Sequence, residues 1–330
     1  MDFVPQRIPA HIREIRADRG DDRVRLDRVL VRRLADLPDL SRARIQGWIR
    51  DGRVRINGEV RERSAHRVEN RDLLAVAVPT LVLDKPEVLP QPVPLDILHE
   101  DEHLIALDKP AGIVVHPTWG HKDQTIVNGL LWHCRDQGIR PSLLHRLDRG
   151  TSGVLLAGKS REMFKSWARQ LRRRQIRKEY LALVHGVPDV TSGRIDLPIE
   201  RDPEVPLKMR IGPDGKNSLT LWQLVAAAED RSLSLLRCRI ITGRTHQIRV
   251  HLNARGWPIV GDGLYGGDDG WRRLADPAVA EVCRALEFHA LHAERMELTH
   301  PGSQASLAIV APVPERIQRL LRLDRLRFGD

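Results

Sequence analysis

Cysteine is almost absent from this chain: three in 330 residues, Cys134, Cys238 and Cys283, at no paired spacing. That excludes a disulfide framework and a zinc site built on cysteine pairs, and it fits a reducing compartment. Lysine is scarce too; eight of the 54 basic side chains are lysine and the rest arginine. No apolar run approaches the roughly 18 residues that a membrane-spanning helix needs. The N-terminus, Met1-Asp2-Phe3-Val4-Pro5, lacks the apolar core of a signal peptide. A cytoplasmic protein with no membrane partner is expected. What is present is apolar substance, at 41% of residues, and a formal charge of +10. Arginine forks onto phosphate oxygens and stacks on bases, so the balance suits a nucleic-acid partner. A GC-rich genome would also raise arginine over lysine, but it does not explain the net charge.

The chain divides by composition. Residues 1–22 are polar and charged and are expected to be loosely ordered. Residues 23–78 read as a small unit. Leu26, Val29, Leu30 and Leu34 recur at helical spacing, Ser41 is a good N-cap for a second helix ending at Gly52, and Asn57-Gly58 between alternating apolar residues signals a hairpin. Leu73 to Val78 reads as a closing strand. Residues 79–95 hold five prolines and read as a semi-rigid linker. From 96 to 330, strands are expected at 104–107, 113–115, 154–157, 180–184, 219–225 and 233–241. Helices are expected at 125–132, 160–171, 245–253 and 314–323. The two do not alternate strictly, which favours an α+β fold with a mixed, mostly antiparallel sheet flanked by helices.

Residues 145–153, His-Arg-Leu-Asp-Arg-Gly-Thr-Ser-Gly, are the most informative stretch. Arg146 and Arg149 flank one carboxylate, Asp148, which favours its charged form. The segment then enters a small-residue turn, where Thr151 and Ser152 can bond their own backbone, and a buried apolar run, Val154 to Ala157. Residues 153–160 also match the phosphate-loop pattern G-x-x-x-x-G-K-S. That reading fails because Val154, Leu155 and Leu156 form a strand rather than a loop able to wrap an anion, so no nucleotide cofactor is expected. His289 with His292, and His246 with His251, lack metal-ligand spacing and suit structural or RNA-facing roles.

His145-Arg146-Leu147-Asp148-x-x-Thr151-Ser152-Gly153 resembles the active-site motif of the RluA-type RNA pseudouridine synthases. Further segments resemble the same family in order: Lys109 to Pro117, Arg177 to Val184, Thr242 to His251, Gly261 to Gly266, Leu291-His292-Ala293 and His300-Pro301. Trp222 stands where that family often has a tyrosine. Residues 23–78, which lie within a stretch of 18 arginines and no lysine over 1–80, resemble the RNA-binding module of the ribosomal S-four type. Asn70-Arg71-Asp72 departs from the Gly-Asp usual there.

The resemblance implies an isomerase that turns specific uridines of RNA into pseudouridine, with large-subunit ribosomal RNA the expected substrate. Isomerisation needs one carboxylate, whereas glycoside hydrolysis normally uses two, and only Asp148 has a distinctive setting. The resemblance assigns Asp148 to attack the ribose C1′ or to assist loss of uracil, both routes open. It assigns Arg249 to pair with Asp148, Tyr180 to stack on the uracil, and Arg146 to fill the space left by a flipped-out base. Arg42, Arg44, Arg53 and Arg55 in the small unit, and the run Arg172-Arg173-Arg174 with Arg177-Lys178, are expected phosphate contacts. No metal or organic cofactor is required, and a monomer is expected. The competing reading is a non-catalytic RNA-binding or ribosome-assembly protein that kept the fold; the intact Asp148, Tyr180 and Arg249 speak against it.

Overall fold

The computed structural model describes residues 10–37, 40–79, 88–117, 121, 123–323 and 327–328. It resolves into two compact units, 1–87 and 88–330.

In the first unit, helices α1 (Leu26–Arg33) and α2 (Arg42–Arg50) accompany a four-stranded antiparallel sheet: β1 (Ala10–Arg16), β2 (Val54–Ile56), β3 (Glu59–Val60) and β4 (Leu73–Pro79), in the order β1-β4-β2-β3. The Ser41 side chain accepts from the Arg44 N–H at 3.2 Å and caps α2 as its sequence predicts. Asn57 and Gly58 both have positive φ, 51° and 86°, which is the twist a two-residue hairpin turn demands. Leu26, Leu30, Ile45, Ile49, Leu74 and Val76 are wholly buried in its core.

One expectation fails here. Part of the segment read as loosely ordered is strand β1, paired residue for residue with β4 from Ala10↔Pro79 to Arg16↔Leu73. Its apolar residues, Ile12 and Ile15, do not alternate, so the sequence carries no strand signal; the backbone of β4 supplies the pairing instead. Asp21 is then buried and bonded to Arg32 and Arg33, which ties the segment down.

Residues 80–87, half of the expected linker, lie outside the described residues. The other half is not a free spacer. Gln91 N–H donates to the Asn128 carbonyl at 3.1 Å and Asn128 Nδ2 to the Leu89 carbonyl at 2.8 Å. A side chain on Gly129 would meet Val93 Cβ at 2.9 Å.

The second unit is built on an eleven-stranded sheet. Its strands are β5 (Ile97–Glu100), β6 (Leu104–Lys109), β7 (Ser142–Leu143), β8 (Ser152–Gly158), β9 (Arg177–His185), β10 (Ser192–Asp196), β13 (Leu219–Ala227), β14 (Leu233–Ile240), β15 (Leu291–Thr299), β16 (Ser306–Val310) and β17 (Arg327–Phe328); β11 (Ile199–Arg201) and β12 (Met209–Ile211) form a separate hairpin. The main path runs β10-β13-β14-β9-β15-β8-β6-β5, and every described pairing is antiparallel except β15 with β8. Helices α3 (Ile126–His133), α4 (Arg161–Arg172), α5 (Gln247–Ala254), α6 (Pro277–Arg284) and α7 (Glu315–Leu323) complete it. Both faces of the central strands are covered: Ile105 and Leu107 join one apolar cluster, Leu104 and Ala106 the other. All seven residues of β8 are buried, which is why it reads as a continuous small and apolar run rather than an alternating one.

Two further readings are decided by local hydrogen bonding. Ile113–Val115 is not a strand. The carbonyls of Val114 and Val115 receive the first N–H groups of α3, from Ile126 and Val127, at 3.1 and 3.2 Å, so this apolar run ends a helix instead of joining a sheet. The phosphate-loop match is spent on structure. Residues 153–158 are sheet, Lys159 Nζ bonds Glu100 at 2.8 Å, and Ser160 Oγ caps α4 through the Met163 N–H at 3.1 Å.

Candidate active site

The single parallel pairing, His292↔Ser152 and Ala293↔Gly153, lies where β8 begins, just after the turn that carries Asp148. The approach of the two backbones is close. At Gly153, with φ of 107°, a Cβ would come within 2.3 Å of the Ala293 carbonyl oxygen, so only glycine fits. The turn closes through Thr151 N–H to the Asp148 carbonyl at 3.1 Å. The hydroxyls of Thr151 and Ser152 do not bond their own backbone as expected; they meet His289 Nε2 at 2.9 Å and His292 Nδ1 at 3.0 Å. The histidine pair is therefore structural and pins the turn to β15. Burial pushes His289 down to about 3, so the ring is neutral and can share one proton with a hydroxyl.

Lys109 braces the turn from the other side. Its fully buried Nζ donates to the carbonyls of Pro110, Ile113 and Arg149, at 2.7, 3.0 and 3.2 Å. Burial pulls its pKa down to about 7, against the attraction of Asp148.

Asp148 then faces a cleft of about 520 Å³ with its side chain 21% exposed. Arg249, on α5, donates from Nη1 to Asp148 Oδ2 at 3.1 Å. The other edge of the same guanidinium is held by Asp262, Nε to Oδ2 at 2.7 Å and Nη2 to Oδ1 at 2.8 Å. A bidentate fork of this kind fixes the plane of the group as well as its position. Arg249 and Asp262 are 7% and 1% exposed, so the order of solvent access runs Asp262, Arg249, Asp148. Tyr180, on β9, lines the same cleft. Burial pushes its hydroxyl well above the usual phenol value, and the charge of Asp148 adds to that. Arg146 is exposed at the rim.

The expected phosphate track divides. Arg172, Arg174 and Lys178 line the cleft, together with Arg239 and Arg244. Arg173 is exposed but is not among the lining residues. Arg177 turns to Glu179, Nη2 to Oε1 at 2.6 Å. Strand alternation is the reason: 178 and 180 share one face of β9, and 177 and 179 share the other. In the first unit Arg42 is shared with the fold. Its Nε and Nη2 donate to the buried Asp27 at 2.9 and 2.8 Å, so two of its donors are committed within the fold. Arg44 and Arg55 are exposed and Arg53 half-buried.

The sequence assigned no part to Asp262, Lys109 or Tyr265, and gave His246 only a structural or RNA-facing role; all four lie inside segments already matched by resemblance. His246 stands one residue before α5 with Nε2 3.7 Å from Asp148 Oδ2. Its partner in the discarded metal pair, His251, is buried and bonded to Thr220 Oγ1 and the Leu197 carbonyl at 2.9 and 3.0 Å.

A mixed sheet thus delivers one aspartate to a basic cleft, beside a tyrosine and a clamped arginine. The comparisons give the family. The profile described as RNA pseudouridylate synthase matches residues 103–254, and the S4 domain profile matches 24–74. The chain is 39% identical over 309 residues to the ribosomal large subunit pseudouridine synthase D of Xanthomonas campestris pv. campestris, covering 90% of each chain. It is 40% identical over 293 residues to the protein of that name from Xylella fastidiosa, covering 87% of this chain and 86% of that one. Among solved structures, human RNA pseudouridylate synthase domain containing 4 matches with a TM-score of 0.56 at 26% identity, over 71% of this chain and 95% of that one. The chain belongs to the RNA pseudouridine synthase family and is an RNA pseudouridine synthase, with an S4 domain at its N-terminal end.

Proposed function

We propose that the enzyme isomerises uridine in large-subunit ribosomal RNA, with Asp148 as the nucleophile on a uridine flipped out of its stack. The observation that carries this reading is the half-shielded Asp148 carboxylate at the cleft wall, held by one donor of a guanidinium that Asp262 clamps from behind. The printed names of two relatives, similar over most of the chain, support that substrate. One oxygen of Asp148 accepts from Arg249, which leaves the carboxylate free lone pairs for C1′ of the ribose. Uracil departs, turns over and returns through C5. Tyr180 offers the ring a flat wall. Arg146, exposed at the rim, takes the gap in the RNA stack, where a guanidinium plane can stack as a base does. Arg172, Arg174 and Arg244 give the phosphates a cationic border.

The test is release of tritium from large-subunit ribosomal RNA transcribed with uridine labelled at C5, with the modified position mapped afterwards. Wild type should release label, and Asp148→Ala should lower the rate by about 10⁴-fold or more, the scale of losing a nucleophile. A fully active Asp148→Ala variant would sink the assignment. RNA binding by wild type without any release would favour the binding-protein reading.

A further inference from the structure

We propose that His246 is a catalytic residue of this reaction: its Nε2–H donates to the uracil O2 as the glycosidic bond breaks. The inference deepens the pseudouridine synthase reading above and rests on it.

Four observations carry it. First, His246 holds a left-handed backbone, φ 55° and ψ 19°, at the N-cap of α5. Such a conformation is uncommon for residues other than glycine and concentrates at functional sites. Second, its ring does not cap the helix, whereas Ser41, Thr125, Ser160 and Asp276 cap theirs; the ring lines the cleft instead. Third, the tautomer is set from behind. Tyr265 Oη accepts the Met209 N–H at 2.9 Å and lies 2.9 Å from His246 Nδ1, and we assign the phenolic proton to that second contact. With Nδ1 accepting, the ring proton sits on Nε2. Fourth, Nε2 is 3.7 Å from Asp148 Oδ2, too far for a hydrogen bond between them. That separation suits two groups that hold neighbouring atoms of one substrate. If Asp148 addresses C1′, the base atoms next to C1′ are N1 and, through C2, the O2 carbonyl.

The charge balance agrees. When the C1′–N1 bond breaks, its electron pair stays on the uracil and spreads onto O2, while an Asp148 oxygen supplies the pair that C1′ loses. No proton moves in this step; Nε2–H strengthens its hydrogen bond as O2 becomes negative. After the ring turns, C5 forms the new bond to C1′ and Asp148 recovers its pair. The C5 proton passes to water, C5=C6 is restored and N1 takes up a proton. The groups around the ring are Asp148 and Arg146 from the turn, Arg249 on its own helix, Asp262 and Tyr265 from the following loop, and His289 before β15. Burial lowers the pKa of His246 against the pull of Asp148 and Asp262, with Arg249 and Arg146 adding to the lowering. The neutral ring thus has one N–H to place and does not neutralise the nucleophile.

The experiment is a cycle between protein and substrate, run on the full chain. The mapped uridine is presented either unmodified or as 2-thiouridine, ligated into the same ribosomal RNA transcript labelled at C5. Asparagine tolerates the left-handed backbone and its shorter amide does not reach the Nε2 position, so His246→Asn removes the donor at that position with least strain. On the oxygen substrate it should lower kcat by about 100-fold with KM little changed, the scale of losing one donor to a developing oxyanion. On the sulfur substrate, a weak acceptor, the ratio of wild type to variant should shrink to about 10-fold or less. Tyr265→Phe keeps the donor but frees its tautomer, and should fall between wild type and His246→Asn while keeping the sulfur effect. An equal ratio on both substrates, or a His246→Asn variant within about 3-fold of wild type, overturns the proposal. Should His246→Asn fail to fold, Tyr265→Phe decides alone, and an unchanged kcat there overturns it. If wild type itself releases no label, the proposed function fails and this role goes with it.

Discussion

Asp27 and Asp148 are both aspartates met by arginine, one in each unit, and their surroundings are opposite. The Asp27 carboxylate has no exposed surface and receives donors from Arg25, Arg42 and Gln46. Burial pushes its pKa up, but these donors outweigh burial and hold it far below the usual carboxylate value. The Asp148 carboxylate is 21% exposed and receives one such donor, from Arg249. Where burial and several donors enclose it, the carboxylate is a fastening. Where the donors stop short and the remaining lone pairs face a cleft, it can react. Asp262 shows the same logic within the site: it is buried like Asp27 and receives two donors from one guanidinium, and its task is to aim the arginine that leaves Asp148 half free.

That contrast breaks first at Asp262. Asp262→Asn keeps the shape of the side chain but loses the charge that grips Arg249 on two edges. A guanidinium free to swing would either leave Asp148 or cover it, and a misplacement of about 1 Å can cost about 10²-fold in rate. We expect kcat to fall by about that factor in the tritium assay, with KM within a few-fold. A kcat within about 3-fold of wild type would mean that Asp148 needs no clamp behind its partner, and the enclosed and open aspartates would then differ in location only.

Asp27→Asn should do the reverse: little change in kcat at saturating RNA, but a loss of about 2–3 kcal/mol in the first urea transition. Breaking a buried pair costs more than that, and the half-exposed Arg42 reduces it here. The sign with pH follows from the depressed carboxyl. Its stabilisation is present above the unfolded value of 3.8 and drains away as pH falls below it. Acid unfolding of the first unit should therefore begin at higher pH in the variant. Identical acid transitions would show that Asp27 contributes packing alone.

Much of this was legible in the chain. The Asp148 turn, the buried strand after it and the Asn57-Gly58 hairpin are local patterns, each set by a few neighbouring residues. What escaped is what depends on distant partners. Asp262 reaches Arg249 across a helix end and a loop, and nothing in Gly261-Asp262-Gly263 tells a clamp from a turn residue. Strand β1 takes its conformation from β4, some 60 residues on. The apolar run Ile113–Val115 looks like a strand until α3 claims its carbonyls. Arg42 and Arg53 are alike in sequence, and only the fold shows that one of them already has a carboxylate.

That last distinction gives the smallest effect and the most direct test of the first unit. A phosphate contact releases counterions, so losing one changes how steeply binding depends on salt, by about 0.7 to 0.9 in log–log slope. Arg53→Ala and Arg55→Ala should each flatten the slope by about that amount, with a few-fold loss of affinity and no change in melting. Arg42→Ala should cost about 1 kcal/mol of stability, since it uncovers part of the buried Asp27. Its salt slope should stay nearer to that of wild type, because two of its donors never reach RNA. A slope that falls equally for all three would show that Arg42 leaves Asp27 when RNA arrives, and that the fastening in this unit opens on binding.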